Sequence, residues 1–353
     1  MTVKKEKKIE KKVRFSTIVY SILLLIVVFL VAVGIMIYKF SANNRLTQTI
    51  TKIVPFPAAI INSTDFIYVK TLQNDLVAVR RFYENQDFSN IGFRVDFKTP
   101  DGQKRLKIKE KNLLNKLIEN EIIKTLAEKR GIKISSEIID QAVERKLNEY
   151  GNRDSFLADL EKIYDWNIND FKEKIVKPDM YNEQLKKNLL ENDKEISLAK
   201  NKIDEAKKEL DAKADFSEVA KKFSDGESVK NGGDLGWLTT DQMIPEIAVA
   251  AALLNKGETS DIIESNLGFH IIMVDDKKNE DGQDKVKLRQ IFVKSKNFAD
   301  WLFDQEKNFK IYIPGKDFYW DNETRMVNFR DQNLKDFESN LEKNSPDDIS
   351  VLF

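Results

Sequence analysis

The chain has 353 residues, with 58 basic and 58 acidic side chains, 13 glycines, one histidine and no cysteine. The missing cysteine excludes disulfides and thiol chemistry, and a single histidine leaves no ligand set for a usual zinc site. Residues 1–40 hold eight basic and two acidic side chains, which leaves 50 basic and 56 acidic in residues 41–353; so mildly acidic a body argues against a nucleic-acid partner.

Lys4, Lys5, Lys7, Lys8, Lys11, Lys12 and Arg14 precede Ile18–Tyr38, which carries no charge. At about 1.5 Å per residue this run spans the ~30 Å hydrocarbon layer, and it is longer than the apolar core of a signal peptide. The expected topology is a basic cytoplasmic tail (1–17), a transmembrane anchor (18–38) and an extracytoplasmic body. Next, Ala58–Ile61 reads as a strand, ended by Asn62–Ser63–Thr64, with a helix following to about Tyr83. Residues 84–108 read as irregular, with Pro100–Asp101–Gly102 as a turn between "FRVDF" and "RLKIK".

From Lys109 a helical period takes over. Leu114, Leu117, Ile118, Ile122 and Leu126 form one apolar face, and Gly131 stops the helix. Ser135 caps a second helix ending at Gly151, and a third lies around Phe156–Tyr164. In "WNINDF", Asn167 is an N-cap candidate with Asp170 three residues on, and Pro178 kinks or restarts a helix that reaches about Leu190. Another helix covers roughly Asp193–Ala212. Glycine usage then rises: two glycines lie in 104–225 and six in 226–268, the mark of a tightly turned domain. After Lys294 come a helix near Phe298–Lys307, the strand-like "KIYIP", a Pro314–Gly315 turn, a hairpin in "DFYWDNETRMVNF", and a final short helix with a polar tail.

Five blocks, Phe216–Phe223, Asn231–Gly236, Met243–Pro245, Leu254–Glu258 and Gly268–Ile272, stand in order over about a fifth of the chain. Together they resemble the parvulin family of peptidyl-prolyl isomerases. "PFPAAIIN", "RGIKIS" and "WNINDF" more loosely resemble the helical chaperone domain of SurA-type foldases, with Ser63 where a glycine is more usual. The resemblance implies an α+β chain: the transmembrane helix, a helical chaperone domain (50–192), a parvulin-like domain with a four-stranded antiparallel sheet and helices (193–294), and a C-terminal helix, hairpin and tail (295–353).

It further implies that Leu235, Met243 and Ile247 line the proline slot, with Ile247 where phenylalanine is usual; the alternative is that they are core side chains. His270 matches the family's last-strand histidine, and Gly226 stands where the family has Cys or Asp. His270 is either a substrate-facing group or a hydrogen-bonded histidine inside a sheet.

The family's first strand is missing from its place between Leu190 and Asp215, where the sequence reads as helix. "VKLRQIFVK" (286–294) follows the last strand after a polar loop containing Asp281–Gly282. A hairpin there makes the two strands antiparallel neighbours. The expectation is a circular permutation, with 286–293 paired to 269–275 and Gln290, in the place of a second family histidine, directly opposite His270. The alternative is that this strand opens a separate C-terminal domain together with "DFYWDNETRMVNF". The functional expectation is a foldase, isomerase and chaperone in one, acting on unfolded or newly exported chains with Xaa–Pro segments and using neither cofactor nor metal. The alternative is a non-catalytic holdase.

Overall fold

The computed structural model describes residues 15–41, 44–85, 96–280 and 282–344. The basic tail therefore lies outside the described residues, as do most of "FRVDF", Asp281 and the polar end. The described chain forms two compact units, one holding residues up to 121, 147–171 and 309 onward, the other 122–146 and 172–308.

The first unit opens with helix α1 (Phe15–Phe40), long and apolar enough to cross a membrane. After a short connection, α2 (Arg45–Ile53) is capped by Asn44, whose side chain accepts from the Thr47 N–H while the Thr47 hydroxyl serves the Asn44 N–H. Strand β1 (Pro57–Ile61) carries Ala59 and Ile61, both with 0% exposure. The expected end at Asn62–Ser63–Thr64 is a turn, with Asn62 and Ser63 at φ 50° and 64°. It leads to β2 (Asp65–Tyr68), a strand the sequence had folded into the helix; α3 (Val69–Asn85) starts only after it.

The expected turn at Pro100–Gly102 is corrected as well, because α4 (Pro100–Lys129) begins there. Proline is tolerated at the first helical position, where its missing N–H costs nothing. The Thr99 hydroxyl just before it accepts from the Gly102 N–H at 3.0 Å. Helices α5 (Ser136–Tyr150), α6 (Arg153–Asp159) and α7 (Ile168–Phe171) follow, with one π-turn at Leu160–Tyr164. The Asn167–Asp170 box is present: the Asn167 oxygen accepts from the Asp170 N–H, and the Asp170 carboxylate accepts from the Asn167 N–H.

In the second unit a π-turn, Lys172–Val176, precedes α8 (Lys177–Asn192), with Pro178 in its first turn. Helices α9 (Lys194–Asp211) and α10 (Phe216–Phe223) lead into the glycine-rich region. There β3 (Asp234–Thr239), α11 (Pro245–Leu253), β4 (Ile263–Ser265), β5 (Gly268–Glu280) and β6 (Gln283–Lys294) assemble one antiparallel sheet in the order β3-β6-β5-β4. The expected four strands are there, and β6 is central, paired with β5 on one side and β3 on the other.

Alternation along β5 and β6 gives the sheet two apolar faces. Phe269, Ile271, Ile291 and Val293 pack on Ile203 and Ala206 of α9 and Phe216, Val219 and Phe223 of α10. Ile272, Val274 and Leu288 pack on Ile247 and Ala251 of α11. The unit closes with α12 (Phe298–Glu306).

The C-terminal strands belong to the first unit. Strand β7 (Ile311–Tyr312) pairs with β1, giving a three-stranded sheet in the order β2-β1-β7. Strands β8 (Phe318–Asp321) and β9 (Met326–Phe329) form the expected hairpin, and α13 (Gln332–Asn344) follows. The buried Lys111–Glu338 ion pair, with both carboxylate oxygens 2.6 Å from Nζ, ties α13 to α4.

Candidate functional site

The β5–β6 register sets what meets His270. Phe292 stands directly opposite it, and Gln290 lies opposite Ile272. The expected pairing of His270 with Gln290 is thus out by two residues. A shift of two keeps every side chain on its expected face, whereas a shift of one would have reversed them. The ladder closes at Glu280↔Gln283, which centres the hairpin beyond Glu280 and would by itself set Val293 opposite His270. A bulge at Asp275, between the Val274–Leu288 and Asp276–Lys287 pairs, takes back one residue. Arg289 holds that bulge, donating from Nε to the Asp275 carboxylate at 3.0 Å and from a terminal nitrogen to Ser217 Oγ.

The two side chains still meet, along the diagonal: Gln290 Nε2 lies 2.5 Å from His270 Nδ1. With the amide donating to Nδ1, the ring proton sits on Nε2 and is donated to Ser265 Oγ at 2.6 Å. That hydroxyl also accepts from the Leu267 N–H. The ring stacks on Phe292 with centroids 4.8 Å apart and is only 2% exposed. Burial pushes the His270 pKa down from 6.5 to about 4, against a weaker opposite pull from the Glu246 carboxylate. His270 is therefore neutral at physiological pH, and its hydrogen bonds suit the neutral ring.

Ile247 and Met243 lie in the apolar cluster on the same sheet face, with Ile247 buried and Met243 half-buried. Leu235 is half-buried at the irregularity between Asp234 and Gly236 in β3, and Gly226 opens a short 3-10 turn, Glu227–Asn231. The loop before Gly226 stitches β6 in place. Ser224 Oγ accepts from the Phe292 N–H at 3.0 Å, the Asp225 N–H donates to the Phe292 carbonyl, and the Asp225 carboxylate accepts from the Lys294 N–H. Sequence reasoning missed Ser265, Phe292 and Glu246. Ser265 was the one with a signal, since its place in the Ser–Asn–Leu–Gly turn before β5 puts it across from the strand's start. Among the described residues no cluster of metal-ligating side chains occurs.

Gly226 does not need to be glycine. Its φ is −75°, and an added Cβ would meet nothing nearer than Ser224 Oγ at 3.6 Å and Phe292 at 3.7 Å. Gly233 does: its φ is +84°, and a Cβ would fall 2.5 Å from the Gln290 carbonyl oxygen. Gly226→Ala is expected to leave the urea midpoint nearly unchanged, while Gly233→Ala costs about 1–3 kcal/mol or more. Equal losses would contradict this geometry.

The depressed pKa of His270 predicts a pH dependence. Because its folded value, about 4, lies below the reference 6.5, the unfolded chain takes up the proton first. This contribution is full above the unfolded pKa and is lost as pH falls through the window from 6.5 towards 4, by about 3 kcal/mol in all. Urea titrations of the parent and His270→Gln should diverge in that window, the parent losing more. Parallel curves would show that the ring is not held neutral by folding.

A profile of the rotamase (PPIC-type PPIase) domain family matches residues 183–276. Foldase protein PrsA 2 of Bacillus cereus is 36% identical over 168 residues, covering 44% of this chain and 58% of that protein. Chaperone SurA of Hydrogenovibrio crunogenus is 41% identical over 85 residues, 24% of this chain and 19% of that protein. The chain thus spans less than two thirds of these two relatives. It spans 68% of foldase protein PrsA 2 of Bacillus anthracis, at 32% identity over 201 residues and 53% of this chain. Similarity of that extent reaches well beyond the rotamase domain, and the chain belongs to the PrsA foldase family.

Proposed function

We propose that the protein is a membrane-anchored foldase of the cell envelope, with prolyl isomerase activity in residues 193–294 and chaperone activity in residues 50–192. Its clients would be unfolded or newly exported chains containing Xaa–Pro bonds. The match of residues 183–276 to the PPIC-type domain carries this reading. Support for the anchor comes from α1 and from the basic residues ahead of it, which favour a cytoplasmic N-terminus.

The chemistry asks little of the site. Resonance stiffens the peptide bond and gives it a barrier of about 18–20 kcal/mol; twisting removes that resonance and with it charge from the carbonyl oxygen. An apolar slot therefore favours the twisted amide over the planar one, and no proton needs to move. In this reading Met243, Ile247 and Leu235 hold the pyrrolidine ring. Neutral His270 and Gln290 fix the polar side without placing a charge near it. Gln290 cannot titrate, which fits a role in orienting the ring rather than in acid–base catalysis.

A refolding protein whose slow phase is limited by proline isomerisation tests the reading. The full chain in detergent micelles should accelerate that phase, and Met243→Ala should lower kcat/KM about tenfold, equivalent to about 1.4 kcal/mol, without shifting its own urea midpoint enough to unfold it. Suppressed aggregation with no acceleration would instead favour the holdase.

A further inference from the structure

We infer that α2 is an interfacial helix seated in the bilayer beside α1, so that the first unit rests on the lipid surface as well as being tethered to it. This rests on the reading of α1 as membrane-spanning. The observation is that α2 is amphipathic with its faces reversed for a soluble helix. The side chains turned into the protein are Thr47 and Thr51, with 0% and 3% exposure. Leu46, Ile50 and Ile53, spaced i, i+4, i+7, share another face. Leu46 and Ile53 are 47% and 77% exposed, and Ile50 is half-buried. In water this arrangement leaves an apolar stripe uncovered while threonines occupy the inner face.

The position of α2 says what covers the stripe. The residues that follow α2 pack along the last turns of α1. A Cβ on Gly34 would lie 3.5 Å from the Phe56 ring, the Tyr38 ring meets Phe56 edge-on, and the Tyr38 hydroxyl donates to the Pro57 carbonyl at 3.0 Å. Gly34 lies six residues before the end of α1, about 9 Å along a helix at 1.5 Å per residue. The Ile53 end of α2 is thereby brought to the level of the charge-free run, not away from it.

Arg45 and Lys52 are exposed outside the stripe, where their long side chains reach headgroup phosphates. A helix with an apolar stripe, flanking cations and direct continuity with a spanning segment fits the headgroup–acyl boundary. A second protein chain on this surface would have to penetrate the same layer of lipid beside α1.

The chain has no cysteine, so single labels can be placed without removing any native residue. Leu46→Cys, Ile53→Cys, Val27→Cys in α1 and Val249→Cys in α11 would each carry an environment-sensitive fluorophore in the full chain. The vesicles would be phosphatidylcholine–phosphatidylglycerol, containing nitroxide lipids. Labels at 46 and 53 should be quenched by a shallow nitroxide and shielded from aqueous iodide, while the label at 249 is quenched by iodide alone. Iodide access at 46 and 53 equal to that at 249, with the label at 27 still quenched by lipid, would overturn the interfacial helix and leave the anchor standing. Iodide access at 27 would overturn the anchor itself, and the interfacial helix with it.

Discussion

The antiparallel ladder between β5 and β6, from Gly268↔Lys294 at one end to Glu280↔Gln283 at the other, is the pairing on which the domain depends. Without β6, strands β3 and β5 would have no partner between them, and each would present unpaired backbone donors and acceptors. A buried, unsatisfied polar group costs about 1–3 kcal/mol, so a domain lacking its central strand could not hold this sheet. Leu288 and Ile291, both with 0% exposure, also show that β6 supplies core to both faces. The strand following the family-matched region is therefore part of the domain's architecture and not the beginning of another sheet.

The same ladder builds the site. It sets Phe292 against the His270 ring, brings Gln290 to Nδ1, and places Phe292 where Ser224 and Asp225 can close the sheet edge through its backbone. These contacts keep the only histidine neutral inside a desolvated network that also includes Ser265. An apolar cluster of Ile247, Met243, Ile272, Val274 and Leu288 occupies the same sheet face. For a reaction whose barrier is amide resonance, a site of neutral hydrogen-bonding groups beside apolar side chains is chemically sufficient. The open space at Gly226 means that the family's extra polar side chain is missing through sequence choice and not because the backbone forbids it.

Much of this was legible because it rests on local signals. Helix caps at Ser135 and Asn167, the stop at Gly131, and the alternation in "VKLRQIFVK" each act through neighbouring residues. What was not legible depends on partners distant in sequence or on a choice between two local meanings. Strand β2 is four residues long and runs directly into α3, so its identity comes from pairing with β1 across Asn62–Ser63. Pro100–Asp101–Gly102 is a common turn sequence, and Thr99 is what makes it a helix start. The β5–β6 neighbourhood could be read from a hairpin loop, but the register could not, because it depends on the closing pair Glu280↔Gln283 and on the Asp275 bulge, which Arg289 holds from the opposite strand. Packing likewise decides the outward stripe of α2, where a short threonine-rich segment gives no local sign of which face turns inward.

Amide hydrogen exchange on the full chain tests most directly whether β6 belongs to the isomerase-type domain. The Leu288, Ile291 and Phe292 amides on β6 should exchange with the same opening free energy as Ile271 and Ile272 on β5, and all should follow the domain's global unfolding as urea is added. If β6 amides open at much lower free energy while β5 stays protected, the central-strand account is contradicted.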